Sequence, residues 1–137
     1  MRKILKRIGQ GLLILFILFI GLFVVPYFAN IVMPWDRAHA IDAALEWGGL
    51  NELPENADII SVDTEGSMFT REFIIEFNCG QKELDLWIQQ SGLNKLSPEK
   101  DENGIKVYRV PGQKGSIGGL VYVDINKGNV IIDMSWS

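Results

Sequence analysis

Residues 8–33 run for 26 positions without one charge, and four basic residues, Arg2, Lys3, Lys6 and Arg7, stand just before them. No other stretch limits the possible folds so severely. A helix rises about 1.5 Å per residue and a hydrocarbon layer is about 30 Å thick, so roughly 20 apolar residues cross it. Residues 11–29 supply 19 of them. Burying such a helix inside a soluble core would take far more protein than a chain of 137 residues offers. The sequence predicts one membrane-spanning helix.

The basic cluster sets its direction. Only Arg37 follows the run closely, beside Asp36, so the positive-inside bias predicts a cytoplasmic N-terminus and an outer C-terminal domain. The expected division is a basic cytoplasmic segment (1–7), a signal-anchor helix (8–33) and an extracytoplasmic domain (34–137). Tyr27, Phe28 and Trp35 fall where amphipathic rings favour the headgroup zone. Pro26 lies within the run, removes a backbone donor and predicts a kink. A cleaved signal peptide shares the basic-then-apolar pattern, but its only small-x-small site, Ala38-His39-Ala40, lies too far beyond the run. No cysteine stands near for lipoprotein processing, and Gly9, Gly11 and Gly21 lack Gly-x-x-x-Gly spacing. An uncleaved tether is the expectation.

Without the four leading cations, the domain holds 9 basic and 17 acidic residues, a net charge of −8. Such a domain repels nucleic acid and anionic headgroups and suits a basic partner or none, and acids so dispersed also serve solubility. A single cysteine, Cys79, excludes an internal disulfide, and no Asn-x-Ser/Thr site occurs. An oxidising compartment is thus permitted but not exploited, and the missing glycosylation site suits a bacterial envelope protein, here of the cytoplasmic (inner) membrane.

Asp36 is placed to cap a helix in which Ala38, Ile41 and Leu45 keep helical spacing and Gly48-Gly49 provide the stop. Residues 57–64 read as a strand with Ile60 and Val62 on one face. After a turn at Glu65-Gly66-Ser67, a second strand alternates Phe69, Phe73, Ile75, Phe77 and Cys79 against Thr70, Glu72, Glu76 and Asn78. Residues 81–91 return to helical period, with Leu84, Trp87 and Ile88 in one stripe and Gly92 as the stop. Residues 96–104 read as a polar connection. Three strand-like runs close the chain (105–110, 117–125 and 130–136), the last two joined by a tight turn at residues 126–129. The predicted fold is α+β: after the anchor, a two-layer domain of order α-β-β-α-β-β-β, with two helices over an antiparallel sheet of about five strands.

No residue set points strongly to catalysis, a cofactor or a metal. Cys79 before a helix start and the lone His39 form the one conceivable nucleophile–base pair, yet Cys79 shares parity with buried aromatics. His39, Asp42 and Glu46 share a helix face that a solvated helix also explains. Glu72/Glu76 and Asp124/Asp133 sit on the polar side of strands. Gly112-Gln113-Lys114-Gly115-Ser116 is followed by a strand, so it lacks the helix dipole of a phosphate loop and reads as a loop between strands, with a mobile loop that contacts a partner as the lesser alternative. Gly118-Gly119 marks a bulge or a close backbone approach. The expected function is non-enzymatic: a protein-binding domain held near the membrane, with Trp35, Trp47 and Trp136 as its contact surface. A narrower form is an immunity protein meeting a basic periplasmic toxin; the rival class is a small envelope hydrolase using Cys79.

Overall fold

A computed structural model describes all residues, 1–137. Its first helix, α1 (Arg2–Phe28), is long and apolar enough to cross a membrane, and its side chains are exposed except for half-buried Ile20 and buried Pro26. The disturbance predicted at Pro26 takes the form of a π-helical turn at Ile20–Val24, just before the proline. Proline has no N–H and its ring crowds the preceding turn, so widening that turn relieves both problems. The helix ends on Asn30, which adopts φ 55°, while the Ile31 amide donates to the Pro26 carbonyl at 2.9 Å.

Helix α2 (Arg37–Gly48) follows an eight-residue connection. Asp36 precedes it but makes no side-chain capping bond; its backbone carbonyl accepts the Ala40 amide at 2.9 Å instead. Gly49 takes the left-handed conformation that stops the helix, and Leu50 N–H donates back to the Leu45 carbonyl at 2.8 Å. The strands are β1 (Asp58–Gly66), β2 (Arg71–Asn78), β3 (Lys100–Glu102), β4 (Ile105–Pro111), β5 (Gly118–Asp124) and β6 (Asn129–Trp136), with α3 (Gln81–Gln90) between β2 and β3. They form one antiparallel sheet of order β1-β2-β6-β5-β4-β3. The chain leaves β2 through α3, meanders from β3 to β6, and returns beside β2.

The α+β architecture matches the expectation with one strand more, six rather than five. The addition is β3, whose run Lys100-Asp101-Glu102 has no apolar alternation and reads as a connection. It pairs with β4 through Asn103-Gly104, both at positive φ (54° and 81°), as a two-residue mirror-image hairpin turn requires. Two parities also shift. Phe69 lies in the tip between β1 and β2 rather than in the strand, and is 78 % exposed. A register shift between Ile59 and Ser61 sends Ile60 outward, away from half-buried Val62.

Register explains the core. Ile75, Ile132, Val121 and Tyr108 stand side by side across β2, β6, β5 and β4, all buried. Phe77, Val130 and Val123 form the next row, and Ala44 and Leu45 of α2 and Leu84 and Trp87 of α3 cover both. Trp87 is 1 % exposed, meets Phe77 edge-on at 5.4 Å, and donates its indole N–H to the Asn51 carbonyl at 3.2 Å. Both helices lie on this face. The other face has no covering layer.

Candidate functional site

Strand alternation that turns Ile75 and Ile132 inward turns their neighbours out. The uncovered face presents Ile74 and Glu76 from β2, Ile131 and Asp133 from β6, Leu120 and Tyr122 from β5, and Val107 and Arg109 from β4. Ile131, Tyr122 and Val107 are direct cross-strand neighbours; Ile74, Asp133, Leu120 and Arg109 form the adjoining row. Apart from Val107 and the exposed Arg109, these side chains are half-buried by one another. An apolar strip therefore crosses the sheet, bordered by Asp63, Glu65, Glu72, Glu76 and Asp124.

The strip's polar border is organised. Asn129 donates from one amide nitrogen to Glu76 Oε1 at 2.9 Å and to Asn78 Oδ1 at 2.8 Å. Glu72 lies diagonally across from Asp133 in the β2–β6 register, and hydrogen bonding toward it first, then burial and the Asp133 charge, pushes the Glu72 carboxyl up to about 7. The fold therefore favours the protonated form of Glu72. Arg109 is tied to Glu99 in a forked ion pair, which holds its guanidinium above the ordinary value. The sheet face is strongly acidic.

A second feature lies where α1 meets the domain. An apolar cleft of about 240 Å³ runs between the last turns of α1, the start of α2 and the paired ends of β1 and β2. Arg71 closes it: its guanidinium carbon sits 4.2 Å from the Tyr27 ring centroid, and Nη1 donates to Thr64 Oγ1 at 3.2 Å. Thr64 in turn donates to the Glu72 carbonyl at 3.0 Å.

The three tryptophans differ in exposure. Trp47 is half-buried and stacks on Phe73 at 5.2 Å on the covered side of the sheet. Trp35 is 55 % exposed, 6.4 Å from Phe23, and Trp136 is 44 % exposed at the end of β6. Cys79 is half-buried, and burial, then the Glu83 charge, pushes its thiol up rather than down as a helix start would. His39 lines the cleft beside Phe73, whereas Cys79 bonds to Gly128 beyond the far end of β2. About 20 Å of strand separates those two ends. They are not brought together.

No group of three His, Cys, Asp or Glu side chains is disposed to hold a metal ion; Glu46 instead pairs with Lys114. Asp124 accepts from the Asn126 and Lys127 amides at 3.1 and 3.2 Å, shaping the β5–β6 turn. The loop 112–116 is not free. The Gln113 amide and the Ser116 hydroxyl both donate to the Trp47 carbonyl, at 2.8 and 2.9 Å, so the loop satisfies the C-terminal end of α2. Gly119 does sit at a close approach, where any side chain would strike the Asp133 backbone. Sequence reasoning missed the Glu72–Asp133 pair, since only the β2–β6 register joins them.

Comparison with known protein families, with curated proteins and with solved structures finds no match for this chain.

Proposed function

We propose that the chain is a single-pass protein of a bacterial cytoplasmic membrane, N-terminus inside, whose outer domain is non-enzymatic and binds another protein through its uncovered sheet face. The observation that carries this reading is the apolar strip of Ile74, Ile131, Leu120 and Tyr122 left without a covering layer and bordered by carboxylates. Central apolar contact with a charged rim is the usual anatomy of a protein interface. The rim selects a basic partner surface, because the carboxylates outnumber Lys100 and Arg109 on this face. A basic toxin arriving outside the membrane fits that description, and the same charge pattern favours an immunity role as the narrower reading.

The test is mild detergent extraction of the full chain, followed by identification of what co-purifies, repeated with Ile131→Lys and Tyr122→Lys. A partner retained by the parent chain and lost from both variants, with unfolding unchanged, is the expected result. Retention by both variants would place the interface elsewhere.

A further inference from the structure

The exposed apolar side chains of the outer domain are unevenly distributed. Beyond α1 and its connection, large hydrophobics are exposed at Ile60, Met68, Phe69, Leu86, Ile105, Ile117 and Trp136. Four of these belong to one end of the sheet. Met68 and Phe69 are the tip between β1 and β2, 64 % and 78 % exposed. Trp136 pairs with Arg71 at the base of that tip, and the Ile117 amide donates to the Ser135 carbonyl at 3.0 Å beside it. This is also the end where α1 arrives, since Arg71 stacks on Tyr27.

The tip bonds much of its own polar chemistry. Ser67 N–H donates to the Thr70 carbonyl and hydroxyl, both at 3.1 Å, the Phe69 amide donates to Ser67 Oγ at 3.3 Å, and the two hydroxyls meet at 3.0 Å. The turn thus satisfies much of its own polar backbone and hydroxyl chemistry while holding two apolar side chains outward. A polar group withdrawn from water costs free energy unless it is bonded, so a turn closed in this way enters a low-polarity layer at small cost.

We propose that Met68, Phe69, Ile117 and Trp136 seat this end of the domain in the interfacial layer of the bilayer that α1 crosses, giving the anchored domain a second lipid contact. The inference rests on the membrane-spanning reading of α1. Contact is apolar, because a domain of net charge −8 gains nothing from anionic headgroups. Strands β2, β6 and β5 then rise from the membrane, and the uncovered sheet face looks sideways along it.

The full chain carrying Cys79→Ala and one new cysteine at position 16, 69, 86 or 117 is labelled with an environment-sensitive fluorophore and reconstituted into phosphatidylcholine vesicles. Thermal unfolding confirms that each variant folds. Labels at Phe69 and Ile117 are expected to shift to the blue, escape aqueous iodide and be quenched by a nitroxide placed high on the lipid chain. The label at Leu86 should be quenched by iodide, and that at Phe16 by a nitroxide deep in the chain. If 16 reports the deep layer while 69 and 117 behave like 86, the second contact is wrong and the anchor stands. If 16 is also open to iodide, the membrane-spanning reading falls, and this inference falls with it.

Discussion

Glu72 is the residue at which this face responds to pH. Its carboxyl is raised from 4.5 to about 7, first through its bond to Asp133, so the fold favours the protonated form. The contribution to stability is therefore fully present below about pH 4.5 and is lost as pH rises through about 7. Glu72→Gln keeps a side chain able to donate to Asp133 and removes the titration. Thermal unfolding of parent and variant should coincide near pH 4.5, and the variant should melt higher at pH 8. Trp87 tests the core. It packs edge-on against Phe77 and its indole N–H donates to the Asn51 carbonyl, so truncation opens a cavity and leaves that carbonyl without its donor. Trp87→Ala should cost about 3–5 kcal/mol in denaturant unfolding, among the largest effects of any single truncation.

At the scale of elements, the loop 112–116 acts as a clamp on α2. Ser116→Ala removes one of two donors to the Trp47 carbonyl and should cost about 1 kcal/mol, with amide exchange accelerating at the end of α2 before the sheet responds. The β3–β4 hairpin depends on Gly104 at φ 81°. Gly104→Ala should cost about 1–2 kcal/mol and show first as faster exchange in β3 and β4. These elements also mark how much could be read from the chain. α2, α3 and the strand pattern of β2, β5 and β6 were legible because apolar residues recur at the helix or strand period and Gly49 and Gly92 supply left-handed stops. β3 was not, because an edge strand of Lys, Asp and Glu has no buried side to impose alternation, although Asn103-Gly104 is a strong hairpin signal. Phe69 fits the parity of β2 perfectly and still lies outside it; parity cannot tell where a strand begins. The polar side of each strand was legible, but that Glu72 meets Asp133 and that no helix covers their face are facts of register and packing.

For the whole molecule, one candidate membrane helix is joined by an eight-residue connection to a sheet that wears both its helices on one side. That asymmetry leaves the opposite face open and acidic, and the stacking of Arg71 on Tyr27 docks the domain on the end of α1 rather than leaving it on a stalk. The proposed binding role rests on these two features, an apolar helix docked on the domain and an uncovered acidic sheet face. The decisive measurement is photo-crosslinking in intact cells of the organism that makes the protein, with a reactive residue placed singly at Tyr122 and Ile131 on the open face and at Leu86 on α3. The account predicts a discrete protein adduct from positions 122 and 131 and none from 86. Adducts formed only from 86, or none from the open face while the protein is folded and membrane-bound, would contradict it.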